Sequence, residues 1–204
     1  MNLVEQLYKV LNQTPIDKEA LVRLVPVLRE LDEMDYYHPA HLYGVLDHSI
    51  KAAELVDDVY LRLVLIFHDV GKLVTEIKVP HWTDPTKQVS KTPGHETESI
   101  RIAKEILGEH MNPKEADRFL ALVRYHDTSL VNEHGHLLMT ELMEQYGQDF
   151  IQDMLVIQQA DMKTHTPAYY ESKKPKLRQS MVAFQQLIAK NENISKSDFN
   201  KEKN

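Results

Sequence analysis

Cysteine is absent from the chain. Disulfides and thiolate-ligated metals are therefore excluded, and any metal must be held by His, Asp or Glu. Glycine is scarce, and its six residues stand apart from one another. That leaves no Gly-x-Gly or Walker phosphate loop and no Gly-x-Ser-x-Gly elbow; His-Glu-x-x-His is missing too. No apolar run approaches the ~20 residues of a membrane span. Positive charge is in deficit, with a net charge of -7. This argues against a dedicated binder of long duplex nucleic acid. It leaves room for a small phosphorylated substrate where bound metal supplies local positive charge. Met1 to Leu11 carries Glu5 and Lys9 inside an amphipathic pattern, which reads as a surface helix rather than a signal peptide. A cytoplasmic location is the expectation.

What the chain does have is helix signal and histidine. Its 204 residues suffice for one domain with a sizeable core. The periodicity predicts amphipathic helices over residues 1–12, 17–31, about 40–57, 58–70, 94–108, 112–125, 137–146, 148–162 and 174–190. Residues 72–92 alternate around a Thr83-Asp84-Pro85-Thr86 turn signal and predict a short hairpin. The expected fold class is all-α, with at most one small β-hairpin. Residues 1–190 form the expected single domain (core about 35–168), and 191–204 a polar, flexible tail.

The stretch from Leu61 to Lys72 organises the rest. Leu61, Val64, Leu65 and His68 fall at i, i+3, i+4 and i+7, so one apolar stripe runs into a histidine. Asp69 follows, and Gly71 reads as a helix stop. A carboxylate at the carbonyl end of a helix meets partial negative charge and needs a cation nearby.

The same geometry recurs. His48 shares a face with Val45, Ala52 and Leu55; His126 extends the stripe of Phe119 and Val123; Asp161 extends that of Phe150, Met154 and Ile157. One histidine on an apolar face is ordinarily a hydrogen-bonded core residue. A core-facing carboxylate without a partner costs several kcal/mol. Four such residues on four helices are best satisfied together by a metal centre. His95, in Pro93-Gly94-His95-Glu96, is a further candidate at a helix start. His38, His41 and His81 lie where they could line a site. His134 and His136 read as a solvated polar turn, His110 and His165 as surface residues, and Glu171 to Lys176 as a solvated loop and helix start. Trp82 either covers the site or packs.

The ordered set His48, His68-Asp69, His95, His126 and Asp161 resembles the HD superfamily of metal-dependent phosphohydrolases. Over about Asp35 to Ala168 it is most similar to the HD domain of bacterial tRNA nucleotidyltransferases. The matching segments are His38-Pro39, Gly44 to Ser49, Phe67 to Lys72, Pro93 to Glu96, Leu122 to His126 and Gln159 to Asp161. The nucleotidyltransferase head, with its Asp-x-Asp pair, is missing, so nucleotide addition is not expected. The resemblance implies an HD-type helical bundle. It also implies a first metal on His48, His68, Asp69 and Asp161 and a second on His95 and His126, bridged by Asp69. Phosphatase, nucleotidase and 2′,3′-cyclic phosphodiesterase activities accompany such domains.

The expected activity is hydrolysis of a phosphomonoester or cyclic phosphodiester in a nucleotide or short RNA end. Hydroxide generated from water by the metal would attack phosphorus. Asp69 and Lys72 are the expected catalytic residues, Lys72 offsetting phosphate charge. With one metal only, His95 or His126 would instead serve as acid–base groups. A sulfur-free, histidine-rich set suits Mn, Fe, Co, Ni or Zn better than Mg. The alternative is a regulatory module that binds metal and nucleotide without turnover.

Overall fold

The computed structural model describes residues 1–201, with side chains described for 1–190. The expected flexible tail lies outside the residues whose side chains are described, and 202–204 lie outside the described residues altogether.

At the centre is α5, Val59–Phe67. Asp58 caps it by accepting from the backbone N–H groups of Tyr60 and Leu61 at 2.8 and 3.1 Å. Every residue from Leu61 to Phe67 is buried. A helix apolar all round must be covered all round, and four helices do so. They are α1 (Leu3–Leu11), α4 (Val45–Ala53), α8 (Pro113–Tyr125) and α10 (Gln148–Lys163). The exception is Arg62, whose guanidinium donates to the carbonyls of Val56 and Leu11 at 2.5 and 2.6 Å. It thereby pins α1 against α5. One apolar core cluster runs from Val4 to Phe184.

Several boundaries differ from expectation. Residues 17–31 split into α2 (Lys18–Leu24) and α3 (Val27–Asp32). Pro26 excludes the helical conformation for Val25, which sits at φ -131° and ψ 88°. The helix expected over 40–57 is only Val45–Ala53, so Leu55 leaves the buried face and is exposed. His68 is the C-cap of α5 rather than part of its last turn, and Lys72 opens a short α6, Lys72–Thr75. Asn132 caps α9, Glu133–Tyr146, so His134 and His136 lie in a first helical turn, exposed as expected. The last helix, α11, spans Pro167–Lys201 and accommodates Pro175.

The expected hairpin is present: β1 (Ile77–Pro80) pairs antiparallel with β2 (Gln88–Lys91), with Val79 opposite Val89. α7, His95–Leu107, follows it. Among the described residues, no helix is long and apolar enough to cross a membrane.

Gly71 does not stop a helix by adopting positive φ; its φ is -67°. It permits close approach. Its N–H donates to Ser99 Oγ at 2.8 Å, and a Cβ there would run into the His95 carbonyl oxygen and the Ser99 nitrogen. Gly71 therefore sets the distance between the His68-Asp69 turn and the helix start carrying His95. Gly71→Ala should cost at least ~2 kcal/mol by overpacking against backbone. Urea unfolding checks this, and a change under ~0.5 kcal/mol, the usual surface range, would contradict it.

Candidate metal centre

Helix ends converge on one point. His68 and His126 are the C-caps of α5 and α8, and Asp161 sits in the last turn of α10. His48 comes from α4, and His95 opens α7. Carbonyl ends carry partial negative charge, and two carboxylates are set among them. Asp69 is 2% exposed. Such a concentration of negative charge requires cations.

The histidines are oriented by their Nδ1 atoms. Those of His68, His95 and His126 donate to the carbonyls of Leu65, Thr92 and Val123 at 2.6, 3.0 and 2.8 Å. Two of these carbonyls are the orphan acceptors of a helix end. His48 uses a hydroxyl instead. Thr164 Oγ1 donates to the Asp161 carbonyl at 2.6 Å, so it accepts from His48 Nδ1 at 2.9 Å. A carbonyl can only accept, so in a neutral ring each Nε2 is left as a lone pair.

Those lone pairs face carboxylate oxygens. His48 Nε2 lies 2.7 Å from Asp161 Oδ1, and His68 Nε2 lies 3.2 Å from Asp69 Oδ2 and 3.6 Å from Asp161 Oδ1. On the other side of the same carboxylate, Asp69 Oδ1 is 3.2 Å from His95 Nε2 and 3.9 Å from His126 Nε2. The Nε2 atoms of His68 and His95 are buried without a hydrogen-bond partner among the described residues. Acceptor against acceptor is repulsive unless a proton or a cation lies between. The atoms group accordingly: one set comprises His48, His68 and Asp69, and another Asp69, His95 and His126. Donors of this kind, with their outer nitrogens fixed by backbone, fit a divalent transition metal.

Without metal, protons must do the work. Burial pulls His68 toward neutrality, but Asp69 and Asp161 outweigh it and raise it to about 10. Burial opposes ionisation of both carboxyls as well, yet the facing histidines, joined at Asp69 by Lys72, hold them well below the usual range. His126, also buried and beside His68, falls to about 4.

All six expected ligands and Lys72 are thus brought together. Lys72 is buried, with Nζ 2.6 Å from Asp69 Oδ2 and 5.3 Å from the centre of the Tyr36 ring. A cleft of about 530 Å³ opens over the centre, lined by His38, His41, Lys72, His126, Asp161 and Tyr169 among others.

Two participants were not expected from the sequence, while His41, expected to line a site, does line the cleft. Thr164 orients His48. His165, expected at the surface, is buried and donates from Nδ1 to the Asp161 carbonyl at 3.0 Å. His41 packs on it with ring centres 4.3 Å apart. Asp161, Thr164 and His165 lie at i, i+3 and i+4, a helical face visible in the sequence once α10 is carried past 162. His41 sits in coil, where no period marks it. Trp82 is 65% exposed and stacks on His81, away from the metal ligands.

Linkage sets a pH test. A group raised on folding, as His68 is from 6.5 to about 10, stabilises fully below its unfolded pKa and loses that stabilisation as pH rises through its folded one. Chelator-treated protein should therefore lose stability in urea between pH 7 and 10. A flat profile would contradict the protonated apo centre.

A comparison with curated proteins found no match. The family model described as HD domain matches residues 40–177, more than half of the chain. HD domains bind divalent metals and are generally metal-dependent phosphohydrolases, some members being non-catalytic. On that match, over a range that contains His48, the His68-Asp69 pair, His95, His126 and Asp161, the chain belongs to the HD domain family.

Proposed function

We propose that this protein is a phosphohydrolase of small phosphorylated substrates, a nucleotide or a short RNA end, working with two divalent transition metals. The observation that carries this reading is the pair of Nε2 groups facing the two oxygens of one buried carboxylate. His48, His68, Asp161 and Asp69 Oδ2 would hold the first ion, and His95, His126 and Asp69 Oδ1 the second. Two ions held in this way would lower the pKa of water and withdraw charge from phosphate oxygens.

The chain's own residues do the rest. The carbonyls of Leu65, Thr92 and Val123, with Thr164, fix the imidazoles so that no reorganisation is needed on binding. Lys72 lines the cleft as a cation whose ammonium sits over the Tyr36 ring, placed to offset phosphate charge. His38, His41 and His165, pushed toward the neutral form first by burial, line a wall without repelling the metals. The acidic balance of the chain supports small substrates over long duplex and gives no broad basic face to a membrane. The segments around His48, His68-Asp69 and His126 support kinship with the HD domain of tRNA nucleotidyltransferases, and a cytoplasmic role accords with such substrates.

Metal analysis joined to a screen of nucleoside monophosphates and 2′,3′-cyclic nucleotides tests the reading. Activity restored by Mn, Co, Ni or Zn after chelation is expected. Inertness of the metal-loaded protein toward every ester would leave a binding module instead. His126→Ala should keep the first ion and lower total metal by about half, as expected when one of two ions loses a ligand. Full stoichiometry with lost activity would make His126 an acid–base group beside a single metal.

A further inference from the structure

The centre has a second opening. A groove of about 120 Å³ lies between the end of α8, α10 and α11, and it shares His126, Asp127 and Asp161 with the main cleft. It is also lined by Lys173 and Lys176, from the charged run Glu171 to Lys176, and by Ser180. Tyr169 divides the two openings. It lines the main cleft and stacks on His165 at 4.5 Å, while Lys173 Nζ sits 5.2 Å over its ring.

These lysines differ from their neighbour. Lys174 is engaged by Glu171 at 3.0 Å. Among the described residues, Lys173 and Lys176 have no carboxylate within ion-pair distance. In a chain of net charge -7, two cations without a carboxylate partner, one of them held over the Tyr169 ring, line a groove that leads to a metal centre and select for an anion. Beyond Lys72, which sits at the centre itself, Lys173 and Lys176 line the same groove as His126 and Asp161.

We infer that the groove takes a second phosphate of the same substrate. The scissile phosphate lies at the centre, the organic portion in the main cleft, and another phosphate against Lys173 and Lys176. The preferred substrate class is then a bisphosphate or a short strand continuing past the scissile phosphate, rather than a lone monoester. This rests on the phosphohydrolase reading and narrows its substrate.

The test compares adenosine 3′,5′-bisphosphate with the 3′- and 5′-monophosphates on metal-loaded protein. Two solvent-screened lysines contribute modestly, so kcat/KM for the bisphosphate should exceed both monophosphates by about tenfold. The advantage should collapse in Lys173→Gln/Lys176→Gln and shrink at high salt, but survive in Lys174→Gln, whose lysine is already paired. No advantage in the wild type, or an advantage surviving in the double variant, overturns the inference. If the protein hydrolyses none of these esters, the hydrolase reading is decided by the wider screen that includes 2′,3′-cyclic nucleotides. Calorimetry of bisphosphate binding to the metal-loaded protein then decides the inference. Binding about tenfold weaker in the double variant supports the groove, and equal binding overturns it.

Discussion

A carboxylate buried where helices end governs the structure around it. Asp69 has one oxygen toward His48 and His68, the other toward His95 and His126, and Lys72 is tied to the first. The carbonyl ends of α5, α8 and α10 add to its negative potential. Every histidine at the centre resolves the conflict in the same manner. It gives its Nδ1 proton outward to an oxygen and turns its Nε2 inward. Inward lone pairs against carboxylates cannot be a resting arrangement of neutral groups. At His68 the choice lies between a protonated imidazole and a bound cation, and the same atom serves both, while burial beside His68 keeps His126 neutral. Metal binding is therefore expected to release protons and to strengthen with pH.

The rest of the fold holds these ends together. α5 is sheathed by α1, α4, α8 and α10, which fixes where His68 emerges. α7 packs on α8 and contributes Ile102, Ala103 and Leu107 to the core, while its start is brought to the His68-Asp69 turn through Gly71, where backbone meets backbone. The hairpin and the coil before α4 then wall the cleft. Rigid helix termini place the inner ligands, while the cleft walls come from less regular segments, a common division between scaffold and site.

The centre was legible in the sequence because burial costs make it so. Apolar stripes that end in His68, His126 and Asp161 pose a question that a core residue rarely answers. His95 had weaker local support and entered through its Pro-Gly context. The walls were less legible. His38 and His41 were marked by their place in the loop before α4 and do line the cleft, whereas His165 was hidden by ending α10 at 162, although its spacing from Asp161 was helical. Thr164 does its work through one hydroxyl bridging two groups, which no composition or period reveals. The split at Pro26 followed from a rule about the residue before proline, and it did not affect the site.

The central claim is that Asp69 is shared between two cation sites. Asp69→Asn preserves shape and removes the shared charge. Metal content per folded chain, measured by elemental analysis after loading and desalting, is the most direct readout, with far-UV circular dichroism confirming that the helices persist. The account predicts that both ions are lost. A helical Asp69→Asn protein that keeps the wild-type metal content would contradict it.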